Sequence, residues 1–151
     1  MVMMGVKVFL DTNILLRSTV QAFPGYPEIQ AFVAQYLAED SEMWISRQVI
    51  REYLVQTMRP QSFMNPMTPE QAIQQVKSIE QVFQIADETS TTTEELLQLI
   101  RSFPMGGKQI HDANIVATML TYDIDTLITL NTTDFKRFAD KITLISPLES
   151  G

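Results

Sequence analysis

The 151-residue chain has no cysteine and a single histidine. Without cysteine there can be no disulfide framework, no thiolate metal site and no cysteine nucleophile. That absence suits a reducing compartment, and a cytoplasmic location is expected. Positive charge is also scarce: 11 Lys and Arg stand against 18 Asp and Glu, a formal charge of −7. A protein that holds nucleic acid through many phosphate contacts needs clustered basic side chains, so the charge argues against this class. An enzyme that meets a short piece of nucleic acid through metal ions is not excluded, and the acidic surface suits a basic protein partner. Long apolar runs are missing, so no membrane span is expected. Lys7 and Asp11 interrupt the apolar N-terminus and no small-residue cleavage site follows, so a signal peptide is not expected. Met1, Met3 and Met4 each stand as a candidate start.

What is present is apolar and ordered in its pattern. Hydrophobic residues make up 45% of the chain, enough for one compact domain over residues 1–151 with a real core. Val6-Lys7-Val8-Phe9-Leu10 reads as a strand buried on both faces. A helical turn or two is expected over 12–18, then a turn at Phe23-Pro24-Gly25-Tyr26. Ile29, Phe32, Val33, Tyr36 and Leu37 follow helical spacing within 28–38. Met43-Trp44-Ile45 is a short strand, and Ser46 caps a helix running from Arg47 to about Met58. The segment 59–69 holds three prolines and reads as a loop. It ends in Thr68-Pro69, a cap followed by proline at the first helical position.

Beyond it, a helix carries Ala72, Ile73, Val76, Ile79 and Val82, and Gln84-Ile85-Ala86 is a short edge strand. Thr92 or Thr93 caps the next helix, and Phe103-Pro104-Met105-Gly106-Gly107 breaks the chain. A helix over 109–122, a strand over 126–130, a short helix over 133–138 and a strand over 142–145 complete the pattern. Such alternation predicts an α/β domain: a doubly wound, mostly parallel sheet with helices on both faces.

Parallel strands turn their carboxyl ends the same way, so residues just after each strand gather at one edge, where open α/β sheets bind ligands. Asp11 follows the first strand. Glu52 borders the apolar stripe of the Ser46-capped helix. Asp112 lies in the first turn of its helix, one turn before the core residue Val116. These three carboxylates are placed to converge, with Asn131 or Asp134 to close the ring. Crowded carboxylates raise one another's pKa, and a bound divalent cation removes that penalty. An oxygen-only donor set points to Mg²⁺ or Mn²⁺ and away from Zn²⁺.

The residues also carry a family likeness. Phe9-Leu10-Asp11-Thr12-Asn13, Glu52 within residues 46–54, His111-Asp112-Ala113-Asn114-Ile115-Val116-Ala117, and Ile128-Thr129-Leu130-Asn131-Thr132-Thr133-Asp134-Phe135 resemble, in order, the four motifs of PIN-domain nucleases. The bacterial VapC-type toxins of toxin–antitoxin pairs are the most similar branch. The resemblance implies a Mg²⁺- or Mn²⁺-dependent endoribonuclease, often a homodimer, acting on RNA and held by a cognate antitoxin protein. It implies that Asp11, Glu52 and Asp112 form the acidic metal site, with Asn13 arranging it. Asn131 departs from the acidic residue that some members carry there. Asp134 follows a helical turn later as a further catalytic candidate.

Each residue also has a plainer reading. Asp11 could only cap a helix, Glu52 could be a solvated residue paired with Gln48 or Gln56, and Asp112 could simply favour a helix N-terminus. His111 diverges by about 100° from its neighbour Asp112 on a helix and is not expected to be a general base. Gly106-Gly107-Lys108 lacks the full phosphate-loop pattern. Three rival functions share the fold type. A receiver domain of signalling systems needs an acidic pair after the first strand and a lysine near the last, and neither stands here. A haloacid-dehalogenase-like phosphatase needs a second aspartate two residues after the first, where Asn13 stands. A non-catalytic binding module of the same fold would have no need of Asp11 and Asp112.

Overall fold

A computed structural model describes residues 6–148. Val8, Phe9 and Leu10 are wholly buried, as a strand covered on both faces must be. They lie in β1 (Lys7–Leu10), the central strand of a five-stranded sheet. The others are β2 (Glu42–Ser46), β3 (Gln84–Ala86), β4 (Thr126–Ile128) and β5 (Thr143–Ile145). Their order is β3-β2-β1-β4-β5, and every pairing is parallel. Phe9 faces Trp44 on one side and Leu127 on the other.

Seven helices connect the strands: α1 (Thr12–Thr19), α2 (Tyr26–Ala38), α3 (Arg47–Thr57), α4 (Pro69–Val82), α5 (Ser90–Ser102), α6 (Gln109–Thr121) and α7 (Thr132–Phe135). A 3-10 turn, Lys136–Phe138, extends α7. The chain steps outward from β1 through β2 to β3, then crosses back past β1 to β4. Right-handed crossovers in opposite directions put α1 to α4 on one face and α5 and α6 on the other. Packing agrees with this, since α1 meets α2 and α3 while α5 meets α6. The fold is the expected doubly wound α/β sheet. Its switch point lies between the carboxyl ends of β1 and β4, where such sheets leave a crevice.

Caps set most helix starts. Ser46 Oγ accepts the Val49 N–H at 3.3 Å. Thr68 and Gln71 form a reciprocal capping box with Pro69 in the first turn. Two starts differ from the sequence expectation. Helix α2 begins at Tyr26 because Gly25 supplies a left-handed cap (φ 82°) and Pro27 sits in the first turn, where a proline lacks nothing. Helix α5 begins at Ser90, because the Thr92 hydroxyl accepts the Thr89 N–H at 3.1 Å and so works inside the first turn, not ahead of it. Among the described residues, no helix is long and apolar enough to cross a membrane. The candidate starts Met1, Met3 and Met4 fall outside the described residues.

Candidate active site

Asp11 leaves β1 at the switch point. Its N–H donates to the Ile128 carbonyl at 3.0 Å, which extends the β1–β4 pairing to the sheet edge. Its own carbonyl accepts the Ile14 and Leu15 N–H groups, so the residue is the N-cap of α1. The side chain does two things at once: Oδ1 accepts the Thr12 N–H at 2.8 Å, and Oδ2 accepts the Thr129 hydroxyl at 2.7 Å. Capping and site formation are therefore the same act. Only 6% of Asp11 is exposed, and burial pushes its pKa up to about 6. The Thr129 and Thr12 bonds offset part of that rise, and the charges of Glu52 and Asp112 add to it.

Glu52 reaches the same place from α3. Its Oε1 accepts the Thr12 hydroxyl at 2.5 Å and its Oε2 accepts Gln48 Nε2 at 3.1 Å. Gln48 and Glu52 lie one turn apart on one helix face. The buried Gln48 amide also donates to the His111 carbonyl at 2.9 Å and accepts Asn114 Nδ2 at 2.8 Å. One glutamine thus ties α3 to the first turn of α6 and fixes Glu52 opposite Asp112. Asp112 is half-buried, and desolvation raises its pKa to about 6. The charges of Asp134 and Glu52 push in the same direction, while Arg137 and His111 ease it.

These side chains share one cavity of about 520 Å³. Asp11, Asn13, Glu52, Asp112 and Asn131 all line it. Asp134 is exposed in α7 and is not among the lining residues; it acts on Asp112 through charge. The donors are all oxygen, the chemistry that suits Mg²⁺ or Mn²⁺. Among the described residues, Asn13 Oδ1 is buried without a hydrogen-bond partner, an acceptor open to a bound group. Among the described residues, no three His, Asp or Glu side chains stand close enough to hold one ion. The carboxylates ring the cavity, and both Glu52 oxygens are occupied by Thr12 and Gln48. The donor types suit a divalent cation, but the three carboxylates stand around the cavity and are not gathered on one point.

A model of the PIN domain matches residues 8–141. The chain belongs to the PIN domain family. Among curated proteins none matches the sequence. Solved structures of the same fold include VapBC-1 from nontypeable Haemophilus influenzae, at 18% identity and a TM-score of 0.68, covering 95% of this chain and 100% of that one. A toxin–antitoxin complex from Klebsiella pneumoniae is 23% identical with a TM-score of 0.64, covering 95% of this chain and 99% of that one. The sarcin-ricin loop cleaving toxin VapC20 of Mycobacterium tuberculosis is 14% identical with a TM-score of 0.60, covering 80% of this chain and 86% of that one.

Three residues inside the motif segments have roles in this PIN domain that the motifs do not assign. Thr12, Gln48 and Thr129 hold the carboxylates in place, yet a threonine beside a strand and a glutamine on a helix carry no signal of that role. Gln48 offered the one legible hint, since it stands four residues before Glu52. Two other features turn out ordinary. The side chain of His111 is exposed and only its carbonyl serves the site. At the glycine pair, the Gly106 N–H donates to Gln109 Oε1 at 2.6 Å, so the loop binds its own helix start.

Proposed function

We propose that this PIN domain hydrolyses RNA phosphodiester bonds with the help of Mg²⁺ or Mn²⁺, as the toxin of a toxin–antitoxin pair. One observation carries the reading. A buried aspartate at the sheet's switch point faces Glu52 and Asp112 across a single cavity, and two of the three hold pKa values near 6. Stacking anionic groups in a desolvated crevice is costly unless a cation or a reacting group needs them there. Asp11, Glu52 and Asp112 would hold the cation, with Asn13 beside them. A bound divalent cation neutralises charge on the phosphate and lowers the pKa of attacking water.

The protein's own residues supply position. Thr129 and Thr12 orient the Asp11 carboxylate, Gln48 and Thr12 orient Glu52, and burial keeps Asp11 out of bulk water. With water as nucleophile, the bond from phosphorus to the 3′ oxygen breaks, leaving a 5′-phosphate and a 3′-hydroxyl. Asp134 influences this chemistry through Asp112, and Asn131 borders the cavity. The reading extends to a cognate antitoxin, a homodimer and a cytoplasmic setting. The structures of toxin–antitoxin complexes that share the fold support the antitoxin.

The test is cleavage of structured and unstructured RNA in Mg²⁺ or EDTA, with the product ends labelled. Products bearing 5′-phosphates, formed in Mg²⁺ and absent in EDTA, are expected. Cleavage that persists in EDTA overturns the reading. Phosphate release from small phosphomonoesters would favour the phosphatase instead, and no turnover of either substrate would favour a binding module.

A further inference from the structure

The cavity continues beyond the carboxylates. On α1, Arg17 stands one turn past Asn13, and on α3 Gln56 stands one turn past Glu52, with Arg59 just beyond the helix end. All five line the same space. One end of it is thus acidic and the other carries two arginines, about 9 Å of helix rise from Asp11 to Arg17. Among the described residues, neither guanidinium has a hydrogen bond or an ion pair. Arg47, Arg51 and Lys77 by contrast are all paired with carboxylates on the outer surface. Of the 11 basic residues in the chain, Arg17 and Arg59 are the two that line this cavity.

Aromatic rings complete this arm. The Arg17 guanidinium lies 5.8 Å from the centre of the buried Phe23 ring. Phe63 meets Phe23 edge to face at 4.9 Å, yet 39% of Phe63 remains exposed. The turn that presents Phe63 is pinned. Gln61 pairs with Met64, Gln61 Nε2 donates to the Gln56 carbonyl at 3.0 Å, and the Met67 N–H donates to the Thr57 carbonyl at 2.8 Å. A fixed, half-exposed ring next to unpaired guanidiniums is the equipment for a nucleotide. Single strands are held by base stacking on aromatic faces together with positive charge along the backbone.

We infer that this arm is a nucleotide subsite for single-stranded RNA, in which Arg17 and Arg59 take phosphate oxygens and Phe63 takes the face of a base flanking the cleaved bond. The inference rests on the ribonuclease reading for its substrate. It gives that reading a direction: the scissile phosphate lies over Asp11, Glu52 and Asp112, and the neighbouring nucleotide runs toward Phe63. The 520 Å³ cavity has room for one nucleotide and its reacting phosphate.

The test measures binding and cleavage separately. Binding of a fluorescent single-stranded RNA of about ten nucleotides is followed by anisotropy with Ca²⁺ replacing Mg²⁺. The proteins are the unaltered one, Phe63→Leu, Phe63→Tyr and the double variant Arg17→Gln/Arg59→Gln. Phe63→Leu should weaken binding about tenfold or more, with Phe63→Tyr restoring it. The arginine variant should flatten the dependence of log affinity on log salt by about 1.4. In Mg²⁺, single-turnover cleavage at saturating enzyme should fall far less than affinity does. Thermal melting confirms that each variant is folded. Affinity and salt slope unchanged in the folded variants would overturn the subsite, as would an unaltered protein that binds no RNA. RNA binding that weakens as described, without cleavage by any protein, would keep the subsite and overturn the reaction.

Discussion

Thr129 donates its hydroxyl to Asp11 Oδ2 at 2.7 Å and in turn accepts the Asn131 N–H at 2.9 Å. This one side chain joins the carboxyl ends of β1 and β4 across the switch point and aims Asp11 into the cavity. Thr129→Val removes a hydrogen bond to a charged, buried group and orphans the Asn131 N–H. It should cost about 1.5–3 kcal/mol in denaturant unfolding. It should also raise the Asp11 pKa further, because that bond is one of those that lower it. Thr129→Ser should restore both. Equal stability of the valine and serine variants would show that the bond carries no weight.

Stability without divalent cations should fall as pH rises. Asp11 and Asp112 both hold their protons more tightly in the folded state than the ordinary carboxylate value of 3.8 allows. Their contribution is therefore full below about pH 4 and fades as pH climbs through about 6. For buried Asp11, at about 1.4 kcal/mol per pKa unit, the change is on the order of 2–3 kcal/mol. Asp112 is half-buried and adds less. Asp11→Asn should consequently stabilise the cation-free protein at neutral pH by about 1–2 kcal/mol and lose that advantage near pH 4. Chemical denaturation in EDTA at the two pH values checks the sign; a destabilised asparagine variant at neutral pH would contradict it.

Much of this was legible beforehand, for physical reasons that can be named. Val8-Phe9-Leu10 reads as a strand buried on both faces, and a carboxylate right after such a strand is placed at the sheet's binding edge. Ser46, Thr68 and Pro69 carried the caps that the helices use. The starts of α2 and α5 were shifted by local chemistry: a left-handed Gly25, and a Thr92 side chain turned backward. At the candidate site, strand ends and helix spacing allowed Asp11, Glu52 and Asp112 to share one edge, and the likeness to the PIN-domain motifs singled them out. Their holders were not legible, since Thr12, Gln48 and Thr129 act only through contacts that the folded chain creates. The Phe23–Phe63 pair joins two loops 40 residues apart, which no periodicity encodes.

Gln48 links three groups at once: Glu52, the His111 carbonyl and Asn114. Gln48→Leu keeps the volume and removes every bond. It should cost about 1–3 kcal/mol and should lower the cleavage rate more than RNA affinity, because Glu52 loses its orientation toward Asp112. Gln48→Glu would set a second carboxylate beside Glu52 and should be worse at neutral pH than at acidic pH. Kinetics that separate affinity from rate distinguish these effects; loss confined to affinity would contradict a positioning role.

A cation that belongs in this cavity should protect the fold. Binding to the folded state alone adds about 2.7 kcal/mol at a hundredfold excess over Kd. Mn²⁺ or Mg²⁺ should therefore raise the melting temperature at neutral pH, and less so in acid, where Asp11 and Asp112 hold protons. Asp112→Asn should reduce the rise, whereas the surface substitution Glu94→Gln should leave it unchanged. Identical rises in all three proteins would place the cation elsewhere.

The most direct measurement is single-turnover RNA cleavage as a function of Mg²⁺ or Mn²⁺ by the unaltered protein, Asp11→Asn and Asp112→Asn. The account predicts saturable, metal-dependent cleavage by the unaltered protein and a loss of about a hundredfold or more in each variant, the scale for removing one group from a preorganised charged site. Both variants should remain folded. Cleavage that continues at the same rate in folded Asp11→Asn, or that needs no divalent cation, would contradict it.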